Sequence, residues 1–277
     1  MRSLQAPGWV AAAPAILFTL LFFIVPFLAM AHASLTAKGV DGITLSNYAQ
    51  FFNNASYWRA MVNSLEITVV VTVVSILVAY PFAWILANAI PERWQRIALL
   101  FAVLPFWTSY VVRSYSWLLV LAENGVVNDA LQALGITDAP VQLANTRFAT
   151  VVGFTHFFVM LLTLTIYANL KQLSPNYQRA AADLGASPLR VFWHVILPLT
   201  LPGIVVGAFL TFVLAIGDYI TPQILGGNNE IAMPQLIMMQ FQRRNDIPLS
   251  SALSVLLMGV ITIAYLASAR WLKLDRV

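Results

Sequence analysis

Six stretches of about 20 apolar residues, separated by short polar segments, run through this 277-residue chain. A helix rises about 1.5 Å per residue, so each stretch is long enough to cross a hydrocarbon layer of about 30 Å. Only 9% of the residues are charged, whereas soluble domains carry about 25%. The pattern predicts an all-α membrane protein, a single domain over 1–277 with six transmembrane helices. The predicted spans are about 11–33, 62–88, 97–122, 148–170, 199–222 and 249–271.

The first apolar stretch has two possible interpretations. Arg2 precedes it and Ala31-His32-Ala33 fits a signal-peptide cleavage site. Signal peptides have apolar regions of about 7–15 residues, and this stretch is longer. We therefore expect an uncleaved first helix.

The distribution of Lys and Arg predicts the orientation. Cytoplasmic loops carry an excess of basic residues. With the N-terminus inside, nine basic residues lie on the cytoplasmic side and five on the outer side, so both termini are expected in the cytoplasm. The nine are Arg2, Arg93, Arg96, Lys171, Arg179, Arg190, Arg270, Lys273 and Arg276, and the five are Lys38, Arg59, Arg147, Arg243 and Arg244.

The chain lacks the residues of the common catalytic and metal sites. It has no cysteine, no GxxxxGK[ST] phosphate loop, no HExxH pair and no GxSxG elbow. Its histidines, His32, His156 and His194, are far apart, and a lone His156 in an apolar helix is more typical of packing than of ligand binding. We expect no catalytic residue, no metal and no cofactor. Active transport would need energy from a partner or an ion gradient.

The loop at 174–198 between the fourth and fifth spans contains a repeated helix-start signal. Ser174-Pro175 and Ser187-Pro188 each combine an N-cap with a proline at the first helical position. Gly185 is suited to end the first helix in a left-handed conformation. Two short helices are predicted, the second ending near Pro198. They form either a rigid projection that transmits force to the helix bundle or a connector that lies at the membrane interface and covers the bundle.

This loop resembles the signature of ABC importer permeases, which begins Glu-Ala-Ala and ends Ile-x-Leu-Pro. Here Ala180-Ala181, Gly185 and Val195-x-Leu197-Pro198 occupy the matching positions. Arg179 replaces the usual Glu and Val195 the usual Ile. The resemblance implies the type I importer permease fold with a helix-turn-helix that contacts an ATPase. The implied coupling residues are Arg179, Ala180, Ala181, Asp183, Gly185, Ser187, Pro188 and Arg190.

Further segments resemble the spermidine/putrescine-type branch of these permeases: YPFAW at 80–84, VLPFWTSYVVRSYSW at 103–117 and GDYITPQILGG at 217–227. The resemblance implies a subunit of the bacterial inner membrane that imports polyamines or related organic cations by alternating access. Implied partners are an ABC ATPase dimer that binds the ATP, a second homologous permease and a periplasmic solute-binding protein. No partnership with nucleic acid is expected, because the basic charge reflects topology and contact with membrane lipid.

The candidate residues of the substrate pathway are acids and aromatics in or near the spans. An acid inside a span is costly and tends to face a cavity. Asp218 is the first candidate, because Gly217 and Pro222 predict a broken helix around it. Its alternative role is a salt bridge to Arg113 or to the partner permease. The full set is Asp218, Tyr219, Trp107, Tyr110 and Glu66. Glu66 has an alternative role near the lipid headgroups, and the aromatic residues have an alternative role in the belt at the membrane interface.

Arg113 and the prolines carry further expectations. A fixed cation repels a polyamine, so we expect Arg113 to be neutralised by an acid or to face the outer mouth. Pro81 and Pro105 are expected to kink their helices. Residues 226–229, Gly-Gly-Asn-Asn, predict a turn in an outer loop.

Two alternative functions stay open at this stage. The chain could serve an importer of another solute, such as an opine, an organophosphonate or ferric ion. Less favoured is an ion-coupled carrier that acts alone, for which we detect neither inverted repeats nor a catalytic group.

Overall fold

The computed structural model describes residues 8–39, 42–227 and 230–272, and these form twelve helical segments. Helix α1 runs through Gly8–Thr19, the π-helical turn Leu20–Ile24 and Val25–Ser34. Helix α2 is Ser46–Asn53, and α3 is Ala55–Trp84 continued by the π turn Ile85–Ala89. Helix α4 is Glu92–Val103 with the 3₁₀ turn Leu104–Trp107, α5 is Tyr110–Val120, α6 is Val126–Ala133 and α7 is Arg147–Gln172. Helix α8 is Pro175–Asp183, α9 is Pro188–Ile216, α10 is Ile220–Leu225, α11 starts as Met233–Met238 and α12 is Ile247–Leu272.

Five of these helices are long and apolar enough to cross a membrane, and a bent pair supplies a sixth span among the described residues. The five are α1, α3, α7, α9 and α12, and the bent pair is α4 with α5. The predicted all-helical membrane fold is confirmed.

The third span differs from its prediction. The span expected over 97–122, with a kink at Pro105, is divided between α4 and α5, whose axes meet at 90°. Pro105 lies in the 3₁₀ turn before the break, and the Thr108 hydroxyl donates to the Pro105 carbonyl at 2.7 Å. The irregularity expected at Pro105 is therefore present, as a full break and not a kink. Pro81 lies inside α3, followed by a π turn in which the Ile90 amide donates to the Ile85 carbonyl.

The fifth span also differs from its prediction at both ends. Helix α9 starts at Pro188 and continues through Pro198, so the expected stop near that residue is wrong. The π turn Phe192–Ile196 precedes it, and there the Leu197 amide donates five residues back to Phe192. This wider turn accommodates a proline, which has no amide to donate. At the other end α9 stops at Ile216 rather than near Pro222, and α10 begins at Ile220.

Contacts divide the chain into two compact units: Met1–Trp58 with Leu236–Val260, and Arg59–Gln235 with Ile261–Val277. In the first unit the Asn47 side chain donates to the Ser34 and Thr36 carbonyls, which fixes α2 beside the end of α1. The prediction of a single domain stays a prediction.

The second unit contains a tightly packed core of α3, α7 and α9. Its buried residues include Ala83, Leu162 and Ile204. A Cβ added at Gly207 would lie 2.8 Å from Leu162, so α9 approaches α7 more closely than a larger residue allows. Small residues at helix contacts are typical of membrane proteins, where packing replaces the hydrophobic effect as the driving force. The Tyr80 and Thr200 hydroxyls, 3.1 Å apart, join α3 to α9.

Several residues named from the sequence lie outside the described ranges. They are Arg2, Asn228, Asn229, Lys273 and Arg276. Gly226 and Gly227 are the described residues of the predicted outer turn. The Gly226 amide, just after α10, donates to the Pro222 carbonyl within that helix. Helix α10 packs against α5 and α7.

The contact between α7 and α10 depends on Gly153, because a Cβ there would overlap the Leu225 side chain. We expect Gly153→Ala to destabilise the protein by about 1–3 kcal/mol through overpacking. The thermal denaturation midpoint of the purified protein measures the effect.

Gly259→Ala is the matched control, because Gly259 also lies in a membrane helix and has no atom within 4 Å of the added Cβ. Equal shifts for the two variants would contradict the proposed close contact.

Candidate functional site

Asp218 lies in the break between α9 and α10 and is held by three hydrogen bonds. Its Oδ1 accepts from the Ile220 amide at 2.8 Å, and its Oδ2 accepts from the Thr221 amide at 3.3 Å. The Tyr110 hydroxyl donates to Oδ2 at 2.7 Å. The carboxylate thus caps the first amides of α10 and joins that helix to the start of α5.

Among the described residues, no basic side chain pairs with Asp218. Two ion pairs occur among the described residues, and neither includes it. Its side chain is half-buried, with a half-buried Tyr219 next in the chain. The Tyr110 ring packs edge-on against Phe157 at 5.2 Å, and Phe157 stacks on Phe106 at 5.1 Å. A carboxylate beside aromatic rings is suited to hold an ammonium group.

Arg113 lacks the neutralising acid that is one of the two roles expected for it, as far as the described residues extend. Its side chain is buried at 7% exposure, and no described acid forms an ion pair with it. The Arg113 Nη2 donates to the Thr108 carbonyl at 3.0 Å. Its guanidinium carbon lies 4.9 Å from the Phe157 ring centre and 5.5 Å from that of Tyr110. The expected neutralisation by an acid is replaced by two aromatic faces and one carbonyl, which stabilise a cation without carrying charge.

The structure brings together only part of the predicted pathway set. Tyr110 and Asp218 are in direct contact. Trp107 is 88% exposed at the end of α4, and in the described part of the chain no ring contact or hydrogen bond joins it to that pair. This exposure is equally typical of an aromatic that faces lipid or another subunit.

Glu66 belongs to a separate cluster in which side chains of α3 contact Arg147, the first residue of α7. Arg147 Nη1 donates to Glu66 Oε2 at 2.7 Å, and its Nη2 donates to the Asn63 side chain at 3.0 Å. Arg147 Nε lies 3.3 Å from Glu230 Oε2. Sequence analysis placed Arg147 on the outer side and gave Glu66 an alternative role near the lipid headgroups, but it did not pair them. A cavity of about 610 Å³ adjoins the cluster, lined by Gln142, Asn145, Thr146, Arg147, Gly226, Gly227 and Glu230.

His156 packs against a neighbouring side chain, which is the role that its sequence context favoured. Its Nδ1 accepts from the Trp117 indole at 2.9 Å, and the two rings meet edge-on at 5.7 Å. In the described ranges no group of three or more His, Cys, Asp or Glu side chains is placed to hold a metal.

The predicted coupling loop forms an exposed turn between α8 and α9. The Ser174 hydroxyl accepts from the Asn176 amide at 3.3 Å and so caps α8. Gly185 has φ +81°, the left-handed conformation expected of it. Leu184 and Leu189 on either side are 89% and 69% exposed. Of the eight predicted coupling residues Ala181 is partly buried, and the rest are exposed: Arg179, Ala180, Asp183, Gly185, Ser187, Pro188 and Arg190.

The sequence profile of a known family, described as "Binding-protein-dependent transport system inner membrane component", matches residues 68–274. The chain belongs to this family. It is therefore a membrane subunit, a permease, of an ABC importer, which confirms the resemblance seen in its loop.

Individual relatives point to one branch of these permeases. The chain is 32% identical over 233 residues to the spermidine/putrescine permease PotB of Salmonella typhimurium strain LT2, covering 83% of this chain and 80% of the relative. It is 32% identical over 261 residues to PotB of Haemophilus influenzae, covering 91% of each. It is 35% identical to the Escherichia coli permease YdcU over 195 residues, covering 66% of this chain and 62% of the relative.

Solved structures share the fold at low identity. A chain of a bacterial importer of the acidic polysaccharide alginate superposes with a TM-score of 0.78 at 16% identity, covering 97% of this chain and 96% of the other. A chain of the MetNI methionine transporter superposes with a TM-score of 0.60 at 15% identity, covering 78% and 94%. These likenesses support the type I permease fold.

The hydrogen bond from Tyr110 to Asp218 holds the start of α10. A hydrogen bond to a charged group contributes about 1.5–3 kcal/mol. We expect Tyr110→Phe to raise amide hydrogen exchange in residues 217–225 by about tenfold or more, because local opening becomes easier. Mass spectrometry of the purified protein measures this exchange.

Tyr115→Phe is the matched control on the same helix, since Tyr115 is 53% exposed. The control should leave exchange in 217–225 unchanged. Unchanged exchange in Tyr110→Phe as well would show that the hydrogen bond does not hold α10.

Proposed function

We propose that this permease carries polyamines, or closely related small organic cations, inward across the bacterial inner membrane. The observation that carries the proposal is Asp218, a membrane carboxylate without a basic partner among the described residues, held at a helix break beside Tyr110. The identity of about 32% to spermidine/putrescine permeases over most of the chain supports the same substrate class.

The proposed pathway centres on Asp218 and Tyr110. Irregular backbone at membrane depth is tolerated where it lines a cavity or is buried in protein, and transporters place their binding sites at such breaks. Asp218 would bind an ammonium group, and Tyr110 and Tyr219 would face the methylene chain. Trp107 and Glu66 are proposed as peripheral residues of the same pathway, with Glu66 at the outer end beside Arg147.

The permease works in an assembly, according to this proposal. An ABC ATPase dimer binds and hydrolyses ATP, a second homologous permease forms the other half of the pathway, and a periplasmic binding protein delivers the substrate. Related structures of this fold include an alginate transporter in complex with a substrate-bound periplasmic protein. Both termini lie in the cytoplasm, in keeping with the excess of Lys and Arg on that side.

The turn at Gly185 is the proposed contact with the ATPase. Leu184 and Leu189 are exposed apolar side chains on a surface that otherwise carries Arg179, Asp183 and Arg190. An exposed apolar patch with a polar rim is typical of an interaction site. Closure of the ATPase dimer would move this turn and shift the permease between inward- and outward-facing states. A shift from 1:99 to 99:1 needs about 5.5 kcal/mol of differential binding.

Uptake into proteoliposomes tests the substrate and the site together. The complex of wild-type permease with its partners is expected to take up radiolabelled spermidine, with competition by unlabelled putrescine. Asp218→Asn should reduce uptake about tenfold or more, because a neutral amide does not compensate the ammonium charge. Binding of the ATPase should persist in this variant.

The uptake results test the substrate class and the role of Asp218 separately. Failure of spermidine to enter or compete would overturn the polyamine assignment, and opines, organophosphonates and ferric ion are the next solutes to test. Full uptake by Asp218→Asn would remove Asp218 from the pathway and leave the substrate class intact.

Coupling is tested at Gly185. A side chain in the left-handed region costs about 1–2 kcal/mol per residue, so Gly185→Val should distort the turn and abolish stimulation of ATP hydrolysis by loaded binding protein. Gly135→Val is the matched control: its φ is +66°, no atom lies within 4 Å of the added Cβ, and it lies in the loop after α6. Coupled hydrolysis by Gly185→Val, or no ATPase co-purifying with the wild type, would contradict the proposed contact.

A further inference from the structure

Arg113 has hydrogen-bonding capacity that the described structure leaves unused. Its Nε and Nη1 are buried without an acceptor in the described part of the chain, and only Nη2 is bonded, to the Thr108 carbonyl. The rings of Phe157 and Tyr110 contact the guanidinium as cation-π partners. A ring face stabilises the charge but does not replace acceptors in the guanidinium plane. Burying a cation whose hydrogen bonds are incomplete costs free energy. A conformation that brings an acid to Arg113 is therefore favoured.

Asp218 has the complementary property. Its carboxylate accepts three hydrogen bonds but has no basic partner among the described residues. Tyr110 contacts both groups: its hydroxyl bonds Asp218 at 2.7 Å, and its ring centre lies 5.5 Å from the Arg113 guanidinium carbon. One tyrosine therefore bridges two opposite charges that do not pair in this conformation.

Both charges are attached to backbone breaks. Arg113 bonds the Thr108 carbonyl in the 90° break between α4 and α5. Asp218 lies in the break between α9 and α10. Conformational changes between packed helices concentrate at such junctions. Rotation of α5 against α10 would move Tyr110 from its place between the two charges.

Two other acids of this unit, Glu66 and Glu230, are paired with Arg147. Asp218 has no cationic partner among the described residues, and it shares a neighbour, Tyr110, with Arg113.

We propose that Arg113 is the internal counter-ion of Asp218, which it pairs with when the transport cycle displaces Tyr110. In that state Arg113 replaces the ammonium group of the substrate on the carboxylate and so expels the substrate. The substrate step rests on the proposed function, whereas the pairing of Arg113 with Asp218 does not. Arg113 is accordingly a positioning residue for release.

A double-mutant cycle without substrate tests the pairing. The assembled complex in lipid nanodiscs is compared as wild type, Arg113→Gln, Asp218→Asn and the double variant, with basal ATP hydrolysis as the readout. Each single change leaves one charge unpaired in the second state, and should lower hydrolysis about tenfold. The double variant removes both charges and should recover most of the wild-type rate. Additive losses in the double variant would overturn the pairing, whatever the substrate is.

Transport kinetics test the release step. Arg113→Gln should lower kcat for spermidine uptake about tenfold with KM unchanged or lower, because binding persists and expulsion fails. Arg113→Lys retains the charge and should recover most of kcat. Tyr115→Phe, an exposed substitution on the same helix that retains the charge of Arg113, should leave kcat within about twofold.

A merely structural Arg113 predicts a different result. Arg113→Lys would then fail to recover kcat, and the thermal denaturation midpoint of Arg113→Gln would fall together with its kcat. That combination would overturn the expulsion role. Thermal denaturation midpoints of all variants, measured on the assembled complex, separate failure to fold from loss of release.

Discussion

The bilayer requires every backbone N–H and C=O group to find a partner within the protein, and the two broken spans of this permease are organised around that requirement. A break in a membrane helix exposes amides and carbonyls that lipid does not satisfy. Asp218 accepts from the first amides of α10, and Arg113 donates to the Thr108 carbonyl in the break between α4 and α5. Polar side chains that would be costly elsewhere in the membrane stabilise the irregular backbone here. Tyr110 connects the two breaks through its bond to Asp218.

The same residues give the site its chemical character. The hydrogen bonds that fix Asp218 leave its charge uncompensated among the described groups, and the rings of Tyr110 and Phe157 lie nearby. Under the proposed function, structural and functional demands fall on one carboxylate. A cation bound at Asp218 would then also alter how firmly α10 is held. The family assignment and the relatives in the spermidine/putrescine branch are consistent with such a site.

Much of the fold follows from the sequence because it depends on local properties. Apolar length defines the spans, and Gly185 predicts a left-handed turn that the structure contains at φ +81°. Gly217 and Pro222 likewise predict the break at Asp218. Pro105 predicts a disturbance of the third span but not its 90° angle. The contact of Arg113 with Phe157 joins different helices, and local sequence contains no signal for it. The ion pair of Glu66 with Arg147 joins residues 81 positions apart, and local sequence contains no signal for that pairing.

The continuity of α9 through Pro198 has a mechanical consequence. Pro188–Ile216 is one helix of 29 residues, about 44 Å long. It is joined to α3 by the Tyr80–Thr200 hydrogen bond, about 18 Å from its start and about 24 Å from its end at 1.5 Å per residue. Under the proposed coupling, a displacement of the Gly185 turn would reach the Asp218 break through one continuous helix that is packed against α7. Had the chain stopped and restarted at Pro198, a flexible junction would separate the turn from the break.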